Sequence, residues 1–176
     1  MKKNIVLIGM PGAGKSTLGV ILAKVLAMDF VDCDLVIQKR EGRSLSRIIE
    51  EEGAEGFIKT EERINASLSY ENCVIATGGS AVYGKKAMEN FKENGIVVYL
   101  KLSYENVSAR VHNIKGRGVV LKEGQTFKQL FEERSGLYEK YADLIINEDG
   151  LSAEQTLSEV IKALEGKLTR PQHGAS

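Results

Sequence analysis

The sequence predicts an α/β fold in which a parallel sheet lies between layers of helix. Apolar runs rich in β-forming residues alternate along the chain with segments of helical periodicity, the pattern of strand–helix–strand units. The runs hardly alternate in polarity, which suits strands covered on both faces. A glycine-rich turn at residues 9–16 joins the first run to the first helical segment, where open α/β sheets meet their ligands. The 176 residues, 43% hydrophobic and 27% charged, fit one three-layer domain, expected over 1–168.

The strands are expected at Asn4–Ile8, 30–31, Cys73–Ala76, 96–102 and 144–146. The first helix carries Leu18, Ile21, Leu22, Val25 and Leu26 at the i, i+3, i+4, i+7, i+8 spacing of a buried stripe. The last helix repeats the rule with Leu157, Val160, Ile161 and Leu164. Residues 34–70 read as a mostly helical appendage broken by Gly42, Gly53 and Gly56. Residues 112–124, with Gly116, Gly118 and Gly124 among Lys115, Arg117 and Lys122, read as a mobile cover for an anionic ligand. A helix over 126–142 opens on a Thr126/Gln129 capping box. The polar tail 169–176 lacks periodicity and is expected to be disordered.

Lys plus Arg equals Asp plus Glu, 24 against 24, so no net field favours nucleic acid or an anionic membrane surface. Cys33 and Cys73, the two cysteines, are too few to frame a zinc site and read as reduced core thiols. The apolar start is cut by Pro11 and Lys15, and no stretch nears the ~20 apolar residues of a membrane span. A cytoplasmic, monomeric protein acting on a small molecule is expected.

Gly9-Met10-Pro11-Gly12-Ala13-Gly14-Lys15-Ser16 satisfies the phosphate-loop pattern G-x-x-x-x-G-K-S/T in full, between a predicted strand and a predicted helix. Its glycines let successive N–H groups converge on a phosphate, and the helix N-terminus adds partial positive charge. Lys15 has the reach for the β- and γ-phosphates, and the Ser16 hydroxyl suits magnesium. The phosphate-binding set is Gly12, Ala13, Gly14, Lys15, Ser16 and Thr17. No Asn-Lys-x-Asp segment follows to read guanine, which leaves an ATP-dependent kinase of small molecules or nucleotides.

Asp32 and Asp34 close the second strand, where residues i and i+2 share a face. One carboxylate suits Mg²⁺ and the other suits the proton of an attacking hydroxyl. The competing reading is a solvated turn or a helix N-cap, since Asp34 precedes a predicted helix. Arg134 falls inside the apolar stripe Phe127, Leu130, Phe131, Tyr138, Tyr141, and a charge so placed needs a partner. An internal carboxylate and an anionic substrate both satisfy that need.

From Lys3 to Leu164 the chain resembles the shikimate kinases. The resemblance rests on the phosphate loop, Asp32-x-Asp34, Phe57 with Glu61, the Ala76-Thr77-Gly78-Gly79 turn, and the Arg110/Arg117 spacing. The Glu133-Arg134-x-x-Leu137-Tyr138 segment, followed by Ala142-Asp143, completes it. It implies a nucleoside-monophosphate-kinase-like sheet of order 2-3-1-4-5, with 34–70 as substrate subdomain and 112–124 as lid. It also implies ATP- and Mg²⁺-dependent phosphorylation of shikimate to shikimate 3-phosphate, a step of aromatic amino acid biosynthesis. In that frame Lys15 and Asp34 are catalytic, and Ser16 and Asp32 hold the metal. Arg110 flanks adenine, Arg117 touches the phosphates, and Arg134 binds the shikimate carboxylate. Gly78 and Gly79 present N–H groups to the ring, and Asp34 contacts its hydroxyls.

The chain departs from the family in four places. Ile58 stands where the family has an arginine after Phe57, Ser80 replaces a third glycine, and Gly118 and Gly136 replace prolines. Ile58 removes half of the family's carboxylate clasp, with Lys59 or Arg63 as candidate substitutes. A related kinase of another polyol or sugar acid, gluconate-kinase-like, is the second expectation. A nucleotide-binding regulator without acceptor chemistry is the third, disfavoured by the complete set Lys15, Ser16, Asp32, Asp34.

Overall fold

A computed structural model describes residues 3–112, 119 and 121–168. Arg117, Gly116, Gly118 and the tail 169–176 lie outside the described residues.

Five parallel strands form one sheet. β1 (Asn4–Ile8) is fully buried and sits between β3 (Cys73–Ala76) and β4 (Gly95–Lys101), with Val6 facing Ile75 on one side and Val97 on the other. β2 (Asp29–Asp32) adds to β3, and β5 (Leu144–Asn147) adds to β4. The order is therefore β2-β3-β1-β4-β5, as expected from the resemblance. Three strands flanked by neighbours on both sides explain the unbroken apolar runs.

α1 (Lys15–Leu26) packs on β1, β2, β3 and on α7 (Ala153–Leu164). Its buried face is Lys15, Leu18, Gly19, Leu22 and Ala23. The expected stripe is thus only half right, since Ile21 and Val25 are 42% and 55% exposed. Close approach decides the face: a Cβ on Gly19 would stand 2.7 Å from the Phe30 ring, so small residues let the helix settle on β2.

α2 (Cys33–Glu41) ends at Gly42, whose φ of 65° is the left-handed stop of a helix. α3 (Leu45–Ala66) bends at Gly53, with φ 73° and ψ 178°. Arg43 braces the bend through Glu41 and Glu51 at 3.0 and 2.6 Å, and through Glu52. α4 (Lys85–Asn94) packs against α3 and β4, and α5 (Tyr104–His112) follows β4. α6 (Phe127–Tyr141) opens on the expected Thr126/Gln129 capping box. Cys33 and Cys73 are free and buried. No helix among the described residues is long and apolar enough to cross a membrane.

Candidate active site

The carboxyl ends of β1, β2 and β3 open into a cleft of about 840 Å³. The chain turns from β1 into α1 through the phosphate loop. Gly9 has φ 149°, and a Cβ there would lie 2.7 Å from the Leu100 carbonyl oxygen, so only glycine fits. Gly12 and Gly14 have φ of 84° and 79°, and Gly14 caps α1 without a side-chain bond. The first N–H groups of α1 are thereby left for an anion.

Lys15 is 8% exposed and donates to the carbonyls of Gly9 and Met10 at 2.7 and 2.9 Å. Burial lowers its pKa to about 8, against the opposing pull of the Asp34 charge. Ser16 Oγ donates to Asp32 Oδ2 at 2.7 Å. A hydroxyl and a carboxylate converging beside a phosphate loop are the hard oxygen donors that Mg²⁺ takes alongside phosphates, so the residues fit that ion.

The two aspartates meet for a different reason from the one the sequence suggests. β2 ends at Asp32, and Asp34 already lies in the first turn of α2. Asp32, not Asp34, is the N-cap: its Oδ1 accepts from the Asp34 and Leu35 N–H groups at 3.0 and 3.4 Å. Both carboxylates still line the cleft. Burial, then the Asp32 charge, raises the Asp34 pKa, while Lys15 opposes the rise.

The far wall is built by the turn after β3 and by α6. A Cβ on Gly78 would meet Glu61 Oε1 at 2.6 Å and Asp34 Oδ1 at 2.9 Å. One on Gly79 would meet Pro11 Cδ at 2.8 Å and Arg134 Nη1 at 3.0 Å. The glycines thus allow the phosphate loop, Asp34, Glu61 and Arg134 to crowd together. Arg134 is 1% exposed yet lines the cleft, with its guanidinium 5.5 Å from the Tyr83 ring centroid. Tyr138, one turn along α6, anchors that helix by donating to the Gly79 carbonyl at 2.6 Å.

Arg110, on α5, donates to the Gly12 carbonyl at 3.0 Å and lines the cleft beside the phosphate loop. Gly12, Gly14, Lys15, Ser16, Thr17, Asp32, Asp34, Gly78, Gly79, Arg110 and Arg134 all border this cleft. Ala13, within the loop, is 1% exposed, and its N–H donates to the Met10 carbonyl at 3.1 Å.

The shikimate kinase family model matches residues 11–165. A shikimate kinase of Vibrio parahaemolyticus is 41% identical over 167 residues, spanning 93% of this chain and 97% of that protein. The chain belongs to the shikimate kinase family. The structure of a shikimate kinase from Acinetobacter baumannii in complex with shikimate superposes with a TM-score of 0.85, at 31% identity and 97% coverage of both chains. A thymidylate kinase of Candida albicans, 14% identical and covering 94% of this chain and 92% of its own, shares the fold with a TM-score of 0.61.

Against the family pattern, neither substitute for the missing arginine reaches the cleft. Lys59 is exposed, and Arg63 donates instead to Glu41 at 2.6 Å. The cations lining the cleft among the described residues are Lys15, Arg110 and Arg134. Sequence reading took Ser80 only as a missing glycine and gave Glu61 no role of its own. In the structure both line the cleft, and Ser80 Oγ donates to Glu61 Oε2. Glu148, buried after β5, was missed altogether. Burial pushes its pKa up to about 7, with Arg110 and then Lys15 opposing. Its only sequence signal was an acid two residues past a predicted core strand.

Proposed function

We propose that this chain transfers the γ-phosphoryl group of ATP to a hydroxyl of shikimate, giving shikimate 3-phosphate. The observation that carries the reading is the buried Arg134 bordering the cleft beside Asp34 and the phosphate loop, in a member of the shikimate kinase family. A fixed guanidinium is suited to a planar carboxylate. The acceptor's charged end then rests on Arg134, its hydroxyl on Asp34, and the phosphates on the loop.

The residues divide the work. The N–H groups of Gly12, Gly14, Lys15, Ser16 and Thr17 cradle the phosphates, while that of Ala13 holds the loop through the Met10 carbonyl at 3.1 Å, and Arg110 flanks the base. Arg117 is assigned to the phosphates by family position. Lys15 exchanges the Gly9 and Met10 carbonyls for the transferred phosphoryl group, where its charge counts most in the transition state. Asp34 orients the attacking hydroxyl and accepts its proton. Ser16 and Asp32 would hold Mg²⁺, which when bound neutralises phosphate charge. Residues 34–70 serve as the acceptor subdomain and 112–124 as the lid, in a monomer working in the cytoplasm without nucleic acid.

Ile58 favours one alternative, a sugar acid whose carboxylate needs a single arginine. An acceptor panel with coupled ADP detection decides. Shikimate should give the highest kcat/KM, and gluconate exceeding it would replace this reading with the alternative.

A further inference from the structure

The acceptor end of the cleft holds a carboxyl group for which the mechanism above has no use. Glu61 is 1% exposed and lines the cleft. Its Oε2 accepts from Ser80 Oγ at 2.5 Å, and its Oε1 has no hydrogen-bond partner among the described residues. Oε1 and Asp34 Oδ1 approach the same point above Gly78, at 2.6 and 2.9 Å, so the two carboxyls are close neighbours. α3 offers no cation one turn before Glu61, because Ile58 stands there.

The charges facing Glu61 come from three other elements. Asp34 on α2 is negative, while Arg134 on α6 and Lys15 on α1 are positive. Cys33, at the start of α2, is a neutral thiol, since burial holds its pKa well above the ordinary value. If Arg134 takes the acceptor's carboxylate and Lys15 the phosphates, an ionised Glu61 is left beside Asp34 and a third anion. Burying like charges so close is strongly unfavourable.

We propose that Glu61 is a specificity-determining residue that must be a neutral acid for the anionic acceptor to bind, with Ser80 fixing its orientation. The inference rests on the reading of shikimate as acceptor. The neutral form leaves Oε2 with Ser80 and puts the proton on the otherwise unpartnered Oε1. Burial raises the Glu61 pKa to about 7; the Ser80 hydrogen bond pulls against that, and the Asp34 charge adds to it. Acceptor affinity therefore falls as pH rises through 7, whereas ATP affinity does not follow Glu61. Binding to the neutral form alone makes apparent shikimate affinity drop about tenfold from pH 6 to pH 8.

Calorimetric titration of the intact protein with shikimate, in two buffers of different ionisation enthalpy, reads this directly. At pH 8 binding should take up about one proton, and at pH 6 almost none. Glu61→Gln keeps an acceptor for Ser80 and should abolish both the uptake and the pH dependence. Ser80→Ala removes a bond that lowers the Glu61 pKa, so the fall in affinity should move to higher pH. Circular dichroism establishes that each variant is folded. Shikimate binding without proton uptake, or uptake that survives Glu61→Gln, overturns the proposal and leaves the functional reading intact. No binding and no turnover of shikimate at any pH overturns both.

Discussion

A methyl group at Gly79 would press on Pro11 Cδ at 2.8 Å, a ring atom of the phosphate loop that cannot swing aside. A methyl at Gly78 would meet the tips of two carboxyl side chains, Glu61 and Asp34, which can. Gly79→Ala should therefore destabilise the protein by about 1–3 kcal/mol, and Gly78→Ala by less, as read by denaturant unfolding. The reverse order would contradict the packing described. Lys15→Ala should lower kcat by about 10²–10³ with the circular dichroism spectrum unchanged, because its charge serves the phosphoryl group; activity within a few-fold of the parent would remove Lys15 from the mechanism. Ile58→Arg places a guanidinium three residues before Glu61, one turn along α3. It should tighten shikimate binding about ten- to a hundredfold, since a charge-assisted hydrogen bond is worth roughly 1.5–3 kcal/mol. It should also offset the charge of an ionised Glu61, so that in this variant the acceptor no longer needs the neutral acid and the pH dependence of shikimate affinity flattens. Unchanged affinity with an unchanged pH profile would show that position 58 does not communicate with the acceptor end. At this scale the phosphate loop was legible, because its fixed positions Gly9, Gly14, Lys15 and Ser16 have backbone, charge or hydroxyl roles that few other residues fill. The Asp32/Asp34 pair was legible as a site but not as geometry: strand alternation and an N-cap place the same carboxylates, and only the end of β2 separates them.

Among the elements, α6 links stability to the site. It carries Arg134 in its apolar stripe, with Leu130 and Tyr138 buried beside it. The Thr126 side chain accepts from Gln129 N–H at 3.2 Å, and the Gln129 side chain accepts from Thr126 N–H at 2.9 Å. Thr126→Ala should cost about 1 kcal/mol of stability, measured as a lower denaturant midpoint at constant m-value. The shikimate KM should change little, because Tyr138 still anchors the helix to Gly79. A large KM effect at unchanged stability would mean that the cap, and not the Tyr138 bond, positions Arg134. The capping box was legible because its residue types and spacing are tied to one geometry. The buried face of α1 was not, because apolar periodicity at 18, 21, 22, 25 and 26 outweighed the small residues Gly19 and Ala23 that mark the contact. Likewise, three glycines announced breaks in residues 34–70, but only Gly42 and Gly53 have positive φ.

In the whole molecule, parallel topology brings the chemistry together. β1, β2 and β3 deliver the phosphate loop, Asp32 and the Thr77-Gly78-Gly79 turn to one edge of the sheet, and α5 and α6 bring Arg110 and Arg134 across it. Strand count and layering were legible from alternation alone, while strand order came from the family resemblance, since periodicity is silent about which strands are neighbours. What stands in for the arginine missing at position 58 was open in the sequence, because Lys59 and Arg63 both had the right charge. In the folded chain Lys59 is exposed and Arg63 is turned to Glu41. In the proposed mechanism Arg134 reads the carboxylate of shikimate while the phosphate loop and Asp34 carry out the transfer. The most direct test is kcat/KM for shikimate and for its methyl ester, measured in the parent and in Arg134→Ala. Esterification should cost the parent about ten- to a hundredfold, the worth of one charge-assisted hydrogen bond, and should cost Arg134→Ala almost nothing. An equal penalty in both proteins would contradict the account, because the carboxylate would then be recognised elsewhere.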